Sequence, residues 1–379
     1  MWMNATREPK SQPQFGLINL LKAVAAQLIV LHHLAFYGPM ADRVRPLLPD
    51  LIDWLADTAR IAVQVFLVIG GFLAAKSLAP TGQPGMSHPL AAIGHRYGKL
   101  APPFIAATLL AVVASDWASG WMTHDSISPP PTLDQLGAHA LLLHGVLGFD
   151  SVAAGAWYVA IDFQLYALLM AILWLGGAIA GGRPARWLMP AAVTLGVAVS
   201  LLHFNLDAGW DVWALYFFGS YGLGVLAWWA GDRRHRPGFV LALLVMMLIP
   251  ATVALALDFR SRIALAVLTA GLLVLFGRST TNSTGRFWST VNTLGRISYS
   301  VFLVHFAVCL LVNAAFTRFV SPEAEPQAFG MAVAWGASLL AGAAFHRWVE
   351  VPLGAAVRLL GKLVGGPLAG QGDRFVSVR

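Results

Sequence analysis

Ten apolar runs, each near the length of about 20 residues that a membrane-spanning helix needs, constrain this chain more than any other feature. They cover roughly 17–37, 60–79, 99–117, 157–180, 187–204, 211–230, 238–256, 261–277, 295–318 and 328–348 of the 379 residues. The chain is 58% hydrophobic and only 11% charged, where a soluble domain carries about a quarter charged residues. No water-soluble fold of this size hides so much apolar surface. The expected class is therefore an all-α polytopic transmembrane helix bundle of about ten spans with both termini cytoplasmic. The lipid bilayer is its first partner.

The formal charge of +7 does not point to nucleic acid. The basic residues lie in short clusters between apolar runs, as orienting loops do. With the amino terminus inside, only six of the 25 Lys and Arg fall outside: Arg43, Arg45, Arg60, Arg260, Arg262 and Arg318. Most carboxylates take that same outer side. Asp162 fits neither side and lies within the fourth span. The lone cysteine, Cys309, excludes an intramolecular disulfide. No small-residue cleavage site follows the first apolar run, so that run reads as an uncleaved helix.

The expected organisation is a polar leader over 1–16, a transmembrane region over 17–350, and an amphipathic surface helix with a disordered tail over 351–379. Residues 133–148 form an eleventh, Gly-broken apolar stretch with His139 and His144, expected to be a re-entrant or interfacial helix. No internal repeat is visible.

The first span, Leu17 to Tyr37, carries what a plain anchor does not need. Lys22 sits one turn inside its start, and His32 and His33 one turn before its end. Lys22 and His33 are 11 residues apart, about 16 Å along a helix at 1.5 Å per residue. Ionisable groups inside a membrane are costly and mark function. His33 lies about 6 Å, and Asp162 about 7.5 Å, below the same outer face at helical rise. The two are expected to meet if their helices pack, the carboxylate fixing the imidazole tautomer and leaving the other nitrogen as a base. Separate structural capping of each is the plainer alternative.

Trp157 and Tyr158 begin the fourth span and read as an aromatic belt. Tyr166 shares the helix face of Asp162. Gln164 is placed to donate to an oxyanion or to bond a neighbouring helix. At the inner side, Arg96 and Lys99 make one cationic face ahead of Pro102 and Pro103, which are expected to break the third span. Two cations on one face suit a phosphorylated ligand, or simply anchor the loop. Gly70-Gly71 permits close helix approach. His305 sits mid-span, preceded by Ser298, Tyr299 and Ser300. Glu350 closes the last span, where an inner-face arginine is its expected partner.

In this order these residues resemble acyltransferase family 3, bacterial membrane proteins that O-acylate surface glycans and related acceptors. The likeness runs from about residue 17 to 353. A basic residue, ten residues and a His appear as Lys22 and His33. The Phe-Phe-x-x-Ser-Gly-Phe segment appears as Phe66 to Phe72, with Gly70 for Ser. The basic motif before proline appears as Arg96, Lys99 and Pro102. The Trp-Ser-Leu-x-x-Glu-x-Gln-Phe-Tyr segment appears as Trp157 to Tyr166, with Asp162 for Glu. The late Ser-Tyr segment ending in His matches Ser298, Tyr299, Phe302, Leu303 and His305. Glu-x-Pro matches Glu350 and Pro352.

The resemblance implies a bacterial inner-membrane O-acetyltransferase, with acetyl-CoA or another acyl-CoA as cytoplasmic donor and no metal. The acceptor is a hydroxyl of an extracytoplasmic or lipid-linked glycan, such as exopolysaccharide or lipopolysaccharide. In that frame His33 is the general base and Asp162 orients it. Lys22, Arg96 and Lys99 bind the coenzyme A phosphates. Trp157, Gln164, Tyr166, Tyr299 and His305 contact substrate or the oxyanion. No appended hydrolase-like domain is expected. The rival readings are a proton-coupled secondary transporter, which predicts paired broken helices and repeats, and a scaffolding membrane protein.

Overall fold

The computed structural model describes residues 15–83, 88–183, 185–279 and 285–364. Nearly all of the leader and the whole tail expected from Gly365 lie outside these. Among the described residues there is no strand. Fourteen α-helices follow in order: α1 (Gly16–Phe36), α2 (Pro39–Val44), α3 (Pro49–Asp57), α4 (Val63–Leu78), α5 (Pro89–Ser119), α6 (Leu133–Ala140), α7 (Ala156–Ala180), α8 (Leu188–Leu202), α9 (Ala214–Ala230), α10 (Pro237–Leu257), α11 (Ser261–Phe276), α12 (Arg286–Phe319), α13 (Ala324–Phe345) and α14 (Val351–Val364).

Among the described residues, eight helical runs are long and apolar enough to cross a membrane, α4 and α8 reaching that length only with the 3-10 turns beside them, as Ala59–Leu78 and Leu188–Leu206. The sixth and eighth expected spans are occupied by α9 with 17 residues and α11 with 16, which stop just short of it. The result is an all-α, multi-pass helix bundle.

The bundle has two hubs. Every residue of α9 except Leu215 is buried, as a helix apolar all round must be when other helices surround it. It packs against α4, α7, α8, α10 and α11. The second hub is α12, which packs against α1, α5 and α13. At the first hub the contact is made through small residues. A Cβ built on Gly71 would lie 1.9 Å from the Tyr221 carbonyl oxygen, and one on Gly224 would lie 1.9 Å from that of Val68. Backbone therefore meets backbone between α4 and α9, as Gly70-Gly71 led one to expect. Gly224→Leu is expected to force the helices apart and to lower stability by at least about 1–3 kcal/mol, the usual range for overpacking. Gly271→Ala in α11, where an added Cβ meets nothing within 4 Å, is expected to be neutral. Thermal unfolding of the two purified variants checks the pair, and equal Tm values would contradict it.

Two expectations about local structure are corrected. Pro102 and Pro103 do not break the third span: α5 runs through them for 31 residues. The two prolines remove donors to the Gly98 and Lys99 carbonyls, a loss that membrane helices tolerate when neighbours pack closely. The 133–148 stretch is helical only over α6, eight residues long. Turns follow, with Leu142 (φ 59°) and Gly148 (φ 78°) in left-handed backbone.

Those turns hold a histidine stack. The rings of His139 and His144 lie 4.0 Å apart and nearly parallel. His139 Nδ1–H donates to the Gln135 carbonyl, and its Nε2 accepts from Val152 N–H. Both ring nitrogens of His144 are buried without a partner. Burial, reinforced by His139, pushes the His144 pKa down to about 4. An unfolded histidine titrates near 6.5, so protons favour the unfolded chain between these values. Stability is then complete above about pH 6.5 and is lost as pH falls toward 4. Tm measured from pH 7 to 4 is expected to fall more steeply for the wild type than for His144→Leu. Equal slopes would contradict this.

Candidate active site

The site residues come chiefly from α1, α5, α7 and α12, and they fall into two groups. The first surrounds a cleft of about 500 Å³, lined among others by His32, His33, Arg60, Ser126, Trp157 and Phe302. His33 is 7% exposed. Its Nδ1 lies 2.6 Å from His305 Nε2, and the two rings are nearly coplanar, 8° apart. His305 Nδ1–H donates to the Phe302 carbonyl at 2.8 Å. That bond leaves His305 Nε2 as an acceptor, so Nδ1–H of His33 must be the donor between the rings. The lone pair of His33 sits on Nε2, the nitrogen available at the cleft. His32 is tied differently, Nδ1–H to the Leu55 carbonyl at 3.0 Å.

The expected meeting of His33 with Asp162 does not occur. Asp162 Oδ2 instead accepts from Arg96 Nη2 at 2.5 Å, in a pair whose side chains are 24% (Arg96) and 11% (Asp162) exposed. The depth argument failed because α5 begins at Pro89, ten residues before the expected start of that span. Arg96 is thus carried into the bundle. A carboxylate there takes the strongest donor in reach, a guanidinium. The tautomer-fixing role expected of Asp162 belongs to His305 and the Phe302 carbonyl.

The second group surrounds this ion pair. Arg96 lies over the Tyr166 ring at 5.2 Å, and its Nε is buried without a partner. Lys99 feels the charges of Arg96, Lys22, Glu350 and Asp162. The three cations expected to act together therefore share one neighbourhood with two carboxylates. Lys99 is exposed, and Lys22 and Arg96 are half-buried, so the cluster is open to a ligand. Among the described residues Glu350 takes no arginine. It accepts from Ser300 Oγ at 2.6 Å and pairs with His346 at 2.8 Å across a π-turn, with Lys22 nearby.

The remaining expected residues separate. Trp157 lines the cleft. Tyr299 O–H donates to the Leu100 carbonyl at 3.1 Å, joining α12 to α5. Gln164 has the interhelical role: its Oε1 accepts from Ala214 N–H at 3.2 Å, at the start of α9. Tyr158, expected only as part of an aromatic belt, and Tyr221, which sequence reasoning overlooked, are both close enough to the Arg96–Asp162 pair to feel its charges. Tyr221 lies in a run that reads as uniformly apolar and gave no signal.

The chain is thus an apolar multi-pass bundle with a tautomer-locked imidazole at a cleft and a cluster of cations and carboxylates elsewhere in the same bundle. A family model described as an acyltransferase domain matches residues 16–360. The chain belongs to acyltransferase family 3 and is a membrane acyltransferase. Among curated proteins and among solved structures, nothing matches it.

Proposed function

We propose that this protein is an O-acyltransferase, most simply an O-acetyltransferase, that moves an acyl group from acyl-CoA to a glycan hydroxyl. The bundle lies in the bacterial inner membrane with both termini cytoplasmic. The donor enters from the cytoplasm, and the acceptor is an extracytoplasmic or lipid-linked saccharide. The observation that carries this reading is the His33–His305–Phe302 hydrogen-bond chain, which leaves Nε2 of His33 as a base at the cleft.

The chemistry follows from that chain. His33 Nε2 takes the proton of the acceptor hydroxyl as its oxygen attacks the thioester carbonyl carbon. The new C–O bond forms, the tetrahedral intermediate collapses, and the C–S bond breaks. The thiolate leaves with the proton returned from His33 Nε2, giving free coenzyme A and a glycan ester. While His33 is protonated, its Nδ1–H bond to His305 spreads the charge over two rings. Lys22, Arg96 and Lys99 receive the phosphates of the donor. Arg96 has a spare buried Nε–H for an anion, and Lys99 is exposed. Asp162 holds Arg96 in place rather than orienting His33. Trp157 offers an aromatic face to a sugar ring in the cleft.

The test is binding and turnover of acetyl-CoA by the purified protein in lipid nanodiscs. The expected result is saturable binding, weakened by Arg96→Gln, and release of coenzyme A thiol when an acceptor saccharide is added. Transport of a saccharide without acetyl-CoA binding would overturn the reading in favour of a transporter.

A further inference from the structure

The cleft lining includes Trp157 and Phe302 but none of Lys22, Arg96, Lys99 or Asp162. Three mutually contacting rings from three helices lead from the cleft toward the second group. Tyr158 of α7 meets Phe302 of α12 edge to face at 5.3 Å. Phe66 of α4 lies 6.1 Å from Tyr158 and 6.5 Å from Phe302. On one side, Phe302 is 6.0 Å from the His305 ring. On the other, Tyr158 feels the charges of Asp162 and Arg96.

The three rings are not equivalent. Phe302 alone among them borders the open cleft, so it alone has room to swing without displacing packed helix. Its far edge rests on bare backbone: a Cβ built on Gly155 would lie 2.9 Å from its Cε1 and Cζ atoms. Gly155 lines the cleft as Phe302 does, and any side chain at position 155 therefore displaces the ring.

We propose that Phe66, Tyr158 and Phe302 form a gate between the cationic cluster and the cleft, with Phe302 as its moving leaf. Closed, the gate keeps cleft water and the base from the thioester. Open, it admits the acyl group to His33, and the space Phe302 clears sets the largest acyl group admitted. This inference rests on the acyl-CoA reading above. It adds a water barrier and a specificity residue to it.

Phe302→Ala tests the gate without disturbing the base, because the carbonyl that orients His305 belongs to the backbone. In nanodiscs the variant is expected to hydrolyse acetyl-CoA without acceptor at least about tenfold faster than the wild type. Its preference for butyryl-CoA over acetyl-CoA should rise by about tenfold or more, within the range that one or two methylenes are worth in a pocket. Gly155→Ala, which keeps the ring but displaces it, should shift both readouts the same way and less. A third readout needs no turnover. The chain has one cysteine, buried Cys309. With Cys309→Ala and Tyr221→Cys, a membrane-impermeant maleimide added from the cleft side should label position 221 only when Phe302→Ala is also present.

A wild type that turns over acetyl-CoA, with hydrolysis, chain preference and labelling unchanged within twofold in both gate variants, would overturn the gate alone. A wild type that neither binds nor turns over acyl-CoA would overturn the acyl-CoA reading and the gate with it.

Discussion

His33→Ala is expected to lower acyl transfer by about two to four orders of magnitude, the usual contribution of a positioned general base. Binding of acetyl-CoA should stay near the wild-type value, because the cleft lining that includes His33 includes none of the cationic cluster. The effect should therefore fall on kcat rather than on KM for the donor. His305→Phe is the informative companion. It removes the acceptor of the His33 Nδ1–H bond and keeps the ring stack's volume. The His33 base then loses its fixed tautomer but not its place. A smaller loss is expected, about tenfold to a hundredfold, together with a displaced acid limb in the pH profile of kcat. Equal transfer by wild type and His33→Ala in purified form would remove His33 from the chemistry.

Asp162→Asn is expected to give the second large effect, and by a different route. It leaves the Arg96 guanidinium half-buried without its counter-charge, and breaking such a pair from one side costs about 3–5 kcal/mol when the pair is well buried. The side chains are 24% and 11% exposed, so the lower end of that range applies. Tm should fall, and the KM for acetyl-CoA should rise as Arg96 loses its position. The acid limb of the pH profile should stay where it is, because Asp162 does not touch His33. The double variant Asp162→Asn with Arg96→Gln should recover much of the lost Tm, since removing both charges ends the penalty. A displaced pH profile in Asp162→Asn, with Tm unchanged, would restore the orienting role that the sequence alone led us to assign it.

That reversal shows what was and was not legible in the sequence. Ten apolar runs of spanning length gave the class and order of the helices, because hydrophobic length is a local property. Lys22, Arg96 and Lys99 were legible as a group for the same reason: each stands near a span end, on a basic motif of recognisable spacing. The pairing of buried groups was not legible. Asp162 was assigned to His33 by counting residues from assumed helix ends, and α5 starts at Pro89 instead of near position 99. His305 was visible as a mid-span histidine, but its neighbour depends on how α12 crosses α1. Phe302 stood only as an aromatic letter in a motif, although its carbonyl fixes one ring and its side chain borders the cleft. Gln164 showed both of its possible roles in sequence, and the position of α9 decides for the structural one.

The measurement that tests the central claim most directly is proton NMR of the surface glycans. It compares the wild type, a deletion strain, and the deletion complemented with wild-type protein or with His33→Ala. The account predicts an O-acyl signal that vanishes in the deletion, returns with the wild-type protein and stays absent with His33→Ala at equal membrane abundance. An O-acyl signal restored to near the wild-type level by His33→Ala would contradict the assignment of the base. Glycans unchanged by the deletion would contradict the assignment of the acceptor.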